Sequence, residues 1–208
     1  MSIFDYNSVP MRVLNKAADL IFVNVLFAVC SLPVVTIGAA QAGLYTAVKV
    51  LRDRKDDRPV LRSFFRGFRN GFGKITAVWC GYLFLAAVFV MTLLARYRAG
   101  QIGGQAWSLL FAVVILALFE PITVQFHARY ECGIGQLLKN TLLFFLGNPL
   151  RAVLCAALTW GPVLLWIFLP ALFALISPSF ILFYFSGTYL LIFMLMEKPF
   201  RTMVGDGK

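Results

Sequence analysis

Residues 13–51 read VLNKAADLIFVNVLFAVCSLPVVTIGAAQAGLYTAVKVL. As one helix these 39 residues would run about 58 Å. That is roughly twice the hydrocarbon thickness of a bilayer, so the stretch must bend. Ser31-Leu32-Pro33 and Gly38 are the breakers, because proline removes a helical hydrogen bond. Two arrangements satisfy this. Either two spans, 13–31 and 33–51, form a hairpin, or one span near 18–37 leads into an interfacial helix. In the first arrangement Gly38, Ala39, Ala40, Ala42 and Gly43 would let a neighbouring helix approach closely.

The rest of the chain sets the class. Of 208 residues, 61% are hydrophobic and 13% charged, whereas a soluble domain is about half apolar and a quarter charged. Apolar runs recur at 20–30, 75–95, 109–119, 152–176 and 180–196. None alternates as a membrane β-strand would. The expected fold is all-α, a single-domain polytopic bundle over 1–208. Its spans fall near 13–31, 33–51, 75–95, 107–126, 150–176 and 180–196. Pro162 and Pro170 lie inside the fifth of these and predict kinks, with neighbours satisfying the freed carbonyls. Ser177-Pro178-Ser179 reads as the tight turn before the sixth, and the tail from Lys198 as frayed.

Charge chooses between six spans and five. With six, both termini share a side with the 49–74 loop, and that side collects 17 of the 19 Lys and Arg, leaving Arg96 and Arg98 opposite. With five, the split is 15 to 4. Six obeys the positive-inside rule better and puts both ends in the cytoplasm. The nine basic residues between Lys49 and Lys74 resist translocation, so the first apolar run reads as an uncleaved membrane helix rather than a signal peptide. The net charge of +10 is thereby assigned to topology and anionic headgroups, not to nucleic acid.

Within that loop, 53–59 reads as a charged turn. After it, Leu61, Phe64, Phe65, Phe68 and Phe72 fall on one helical face, with Arg62, Arg66 and Arg69 beside it. This predicts an amphipathic helix over 60–72 at the cytoplasmic interface, its arginines at phosphate depth. Arg62, Phe64, Phe65, Arg66, Phe68 and Arg69 are the candidate lipid- or partner-facing residues. A similar, less basic segment at 137–146 also leads into a span. The pair hints at a two-fold internal repeat.

Candidate chemistry is sparse. Glu120, before Pro121, is the one acid well inside a span, and intramembrane carboxylates are costly. Asn24 and Gln41 are candidates for interhelical hydrogen bonds. His127, Arg129 and Glu131 read as a solvated helix end; one histidine and one carboxylate do not make a metal site. The four cysteines form no C-x-x-C pair, and neither disulfide nor cofactor is expected. No G-x-S-x-G, H-E-x-x-H or P-loop pattern is present, so no catalytic residues are assigned and an enzyme is not expected.

One resemblance emerges. Phe4-Asp5-Tyr6-Asn7-Ser8-Val9-Pro10-Met11-Arg12, Ala18-Asp19-Leu20-Ile21, Cys30-Ser31-Leu32-Pro33-Val34-Val35-Thr36-Ile37-Gly38 and Arg62-Ser63-Phe64-Phe65-Arg66-Gly67-Phe68 together resemble the YesL-like family of bacterial membrane proteins, a domain family of unknown function. The match is tightest over the first 75 residues. It implies a plasma-membrane protein of bacteria. Genes of such proteins often neighbour those for carbohydrate ABC transporters and sugar degradation. The implied role is an accessory or regulatory component of sugar uptake in contact with permease subunits; the alternative is an independent small-molecule transporter or channel. No site residues carry over.

Overall fold

A computed structural model describes residues 9–52, 60–101, 103–130, 132–179 and 184–205. They form α1 (Val9–Cys30), a short 3-10 turn (Val34–Thr36), α2 (Ile37–Arg52), α3 (Val60–Gly71), α4 (Lys74–Arg98), α5 (Gly104–Arg129), α6 (Ile134–Gly147), α7 (Pro149–Phe168), α8 (Pro170–Ser179) and α9 (Phe185–Gly205). The result is a helical membrane bundle. Four helical segments are long and apolar enough to cross a membrane: Val34–Arg52, Lys74–Arg98, Ala106–Arg129 and Pro149–Phe168. Shorter apolar stretches occupy Ala17–Cys30 and Phe185–Glu197.

The long N-terminal stretch folds back at Pro33. The Thr36 hydroxyl lies 2.6 Å from the Cys30 carbonyl and 2.8 Å from that of Pro33. It thus satisfies backbone acceptors that the end of α1 leaves open. Trp79 Nε1 donates to the Val34 carbonyl at 2.7 Å, tying the turn to the second turn of α4. Some 19 residues of α4 lie beyond Trp79, about 28 Å of helix. The hairpin tip therefore stops well short of the far end of α4, and α4 buries only Ile75 and Trp79.

α2 lies inside the bundle. Every residue from Gly38 to Tyr45 is buried. Among the described helices its most extensive partner is α3, which packs on it through small residues. A Cβ at Gly67 would lie 2.8 Å from the Ala42 carbonyl, and one at Gly71 3.0 Å from the Ala42 Cβ. Gly67 and Gly71 form a G-x-x-x-G face of the kind that brings helix backbones together. The charged turn expected at 53–59 lies outside the described residues.

α4 ends in a Schellman motif. Gly100 adopts φ 68°, its N–H bonds the Tyr97 carbonyl, and the Gln101 N–H bonds that of Arg96. Only glycine takes this backbone conformation at little cost.

The expected fifth span, 150–176, is two helices. Leu169 breaks it with φ −137° and ψ 62°, because a residue before proline is pushed out of the helical region, and Pro170 opens α8. Helix then continues through Ser179, so 177–179 is not a turn. α9 runs from Phe185 to Gly205, so it stays helical past Lys198 rather than fraying there; the expected start at 180 lies outside the described residues.

Pro121 and Pro162 sit inside helices, and each has a dedicated partner. Pro121 leaves the Ala117 carbonyl without its helical donor; Trp160 Nε1 supplies one at 3.0 Å. Pro162 does the same to Leu158, whose carbonyl accepts from the Tyr184 hydroxyl at 2.5 Å.

The core has two parts. One surrounds Tyr45 and Phe64, between α1, α2, α3 and α9. The other surrounds Ile122, Phe126 and Phe144, where α5, α6, α7 and α9 meet.

Candidate functional site

Polar side chains are buried between these two cores. Glu120 on α5 is 2% exposed, and Gln125, on the same helix, is fully buried. Gln41 on α2 lies beside Glu120. The hydroxyls of Tyr82 on α4 and Tyr189 on α9 lie within its electrostatic reach. None of these closes to normal geometry: both Glu120 oxygens, Gln41 Oε1, the Tyr189 hydroxyl and both Gln125 amide atoms lack a hydrogen-bond partner. Among the described residues no Lys, Arg or His forms an ion pair with Glu120. Buried polar atoms are satisfied as a rule, so open valences at this density mark a polar site rather than packing.

The site is framed by groups that are satisfied. Thr123 donates to the Phe119 carbonyl and lies 3.0 Å from the Tyr82 hydroxyl and 3.3 Å from Thr141 Oγ1. Asn24 bonds α9 twice, through the Ser186 hydroxyl at 3.0 Å and the Ser186 backbone N–H at 2.7 Å. It thereby caps the first turn of α9 from another helix. Pro121, next to Glu120, and its Trp160 anchor fix the path of α5 here.

A cavity of about 260 Å³ reaches this site from one side. Gln41 and Tyr189 line it together with Ser31, Trp79, Trp160 and Tyr184. It is lined by aromatic and aliphatic side chains with a few hydrogen-bonding groups, which is the usual make-up of a small-molecule pocket. Glu120 is not one of its lining residues. No group of three or more His, Cys, Asp or Glu that could hold a metal is found among the described residues.

The six residues expected to face lipid or partner divide. Arg62, Phe65, Arg66 and Arg69 are exposed. Phe68 is half-buried, between the rings of Phe64 and Phe72. Phe64 is the correction: it is fully buried against Gly43. Arg129 also departs from its expectation as a solvated helix end. It is half-buried, bonds the Tyr45 hydroxyl and lies 4.6 Å from the Phe193 ring centre. Arg52 covers the same ring at 4.7 Å and pairs with Glu197. Glu131 lies outside the described residues.

Sequence reasoning found Glu120, Gln41 and Asn24 but not Gln125, Tyr82, Tyr189 or Trp160. Gln125 had a signal, an amide five residues beyond an intramembrane acid on one helix. The aromatic residues had none.

Residues 20–93 match the family described as Protein of unknown function, DUF624. The DUF624 match covers 74 of 208 residues, from within α1 to within α4. It includes the Pro33 turn, Gln41, all of α3 and Trp79; Glu120 lies beyond it. No curated protein and no solved structure matches the chain.

Proposed function

We propose that this chain is an accessory or regulatory component of a carbohydrate uptake system of the ABC type in the bacterial plasma membrane, with both termini cytoplasmic and no catalytic activity. The observation that carries this reading is α3. Its glycine face is locked onto α2, while Arg62, Phe65 and Arg69 are exposed. A rigid basic and aromatic face at the basic end of a membrane protein suits docking to a permease subunit beside anionic headgroups. The sugar link comes from the YesL-like resemblance. Affinity purification from native membranes should recover permease subunits with the wild-type chain. Changing Arg62 and Arg69 together to Glu should cut that recovery about tenfold or more, since like-charge contact across an interface costs several kcal/mol. Recovery of the wild-type chain alone would refute the role.

Glu120 favours a second reading, an independent small-molecule transporter or channel. Its open carboxylate, with Gln41 and Tyr189 between it and an aromatic cavity, fits a hydroxyl-bearing solute. In proteoliposomes the comparison is with Glu120→Gln, which keeps the volume but removes the carboxyl group. This change should lower uptake of a carried sugar at least about tenfold. Unchanged uptake at equal incorporation would remove Glu120 from the mechanism.

A further inference from the structure

A second cavity, of about 500 Å³, opens at the basic end between α2, α3, α4 and α5. Its floor is made of small groups, Ala42, Thr46 and Gly67. The space exists because the close α2–α3 packing uses residues without bulk. Around it stand Arg66 from α3, Lys74 from α4, and His127 and Arg129 from α5, with the Asn70 amide at the rim. Among the described residues no carboxylate lines it. Of the described acids, Glu197 pairs with Arg52, Glu120 is buried in the polar site, and Asp19 lies on α1, which does not line the cavity.

The cations are held at different depths. Arg129 is fixed by the Tyr45 hydroxyl and the Phe193 ring, so its charge is preorganised. Arg66 and Lys74 are exposed and able to close over a ligand. Lys74 Nζ lies 3.4 Å from the Cys132 carbonyl, which holds it along the cavity wall. Gly73 and Lys74 also bring the start of α4 to the cavity, and Gly73 provides no side-chain cap. The field of the helix end adds to that of the three side chains.

We propose that this cavity binds a phosphate group, carried either by an anionic lipid headgroup or by a small soluble phosphate ester. Three cations with an amide and an imidazole around one cavity match the charge and the several acceptor oxygens of phosphate. The volume leaves room for the group that carries it. The proposal does not depend on permease docking, since it concerns the cavity behind Arg66 rather than the outer face of α3.

The test uses the full chain in detergent micelles with two probes. Phosphatidylglycerol against phosphatidylcholine, read by native mass spectrometry, reports a headgroup. Glycerol 3-phosphate, read by calorimetry, reports a soluble ester. The wild-type chain should retain phosphatidylglycerol selectively or bind glycerol 3-phosphate, and the probe that binds names the source. Arg66→Gln and Lys74→Gln should each weaken that binding about tenfold, while Arg98→Gln at the opposite end should not. If either of the first two fails to fold, Asn70→Glu serves instead. Asn70 is exposed, so a carboxylate there repels the ligand without disturbing packing. Binding of neither probe, or binding indifferent to Arg66, Lys74 and Asn70, overturns the proposal.

Discussion

Gly67→Ala should lower the stability of the folded chain by about 2 kcal/mol, although alanine is the better helix former. The added Cβ would meet the Thr46 hydroxyl and, at 2.8 Å, the Ala42 carbonyl oxygen. Neither can yield easily. The carbonyl is backbone, and the hydroxyl is held by its own 2.8 Å bond to that carbonyl. α3 must therefore move off α2, which carries the basic face and the cavity floor with it. Unfolding by sodium dodecyl sulfate in mixed micelles, followed by circular dichroism, measures the change. Gly81→Ala is the control, because a Cβ there meets nothing within 4 Å and the helix preference is left to act alone. Equal stability of wild type and Gly67→Ala would show that the helices do not approach as described.

Trp160→Phe should cost about 1–3 kcal/mol, the penalty of leaving a buried acceptor unsatisfied. Phenylalanine keeps an aromatic ring but loses the pyrrole half of the indole with its N–H, so the Ala117 carbonyl has no donor from Trp160 and none from Pro121. The decisive measurement is the double variant. Pro121→Ala restores a backbone N–H at 121, which can bond Ala117 within the helix. Trp160→Phe should then cost much less in the Pro121→Ala background than in the wild type. Additive effects in this cycle would mean that the indole and the proline are not coupled. Tyr184→Phe with Pro162→Ala is the parallel cycle at Leu158.

Much of the architecture could be read from sequence because membrane helices are constrained by length. The fold-back at Pro33 followed from arithmetic on helix rise, and the close packing near Gly38–Gly43 from residue size. The break at Leu169 was legible too, since it precedes Pro170, but it was hidden by treating Pro170 as a kink within one long span. Phe64 shows a harder limit. In water an apolar stripe must face protein; beside lipid it can face either, so periodicity could not tell Phe64, which is buried, from Phe65, which is not. The proline partners were inaccessible for another reason. Trp160 and Ala117 are 43 residues apart, and nothing local in the chain records that they meet. At the polar site, Glu120 stood out because charge is rare in a span, whereas Tyr82 and Tyr189 look like ordinary interfacial aromatics until the helices are assembled.

The turn at Pro33 also governs parity. A helical pair that returns to its side of entry adds an even number of traverses, whether its tip crosses completely or halts beside Trp79. On the proposed topology residue 9 and residue 60 then share one water compartment. Lengthening or blunting the Leu32–Val35 tip would not invert the molecule. The arginines of α3 need not determine where the N-terminus lies relative to them; they have only to select which compartment the two share.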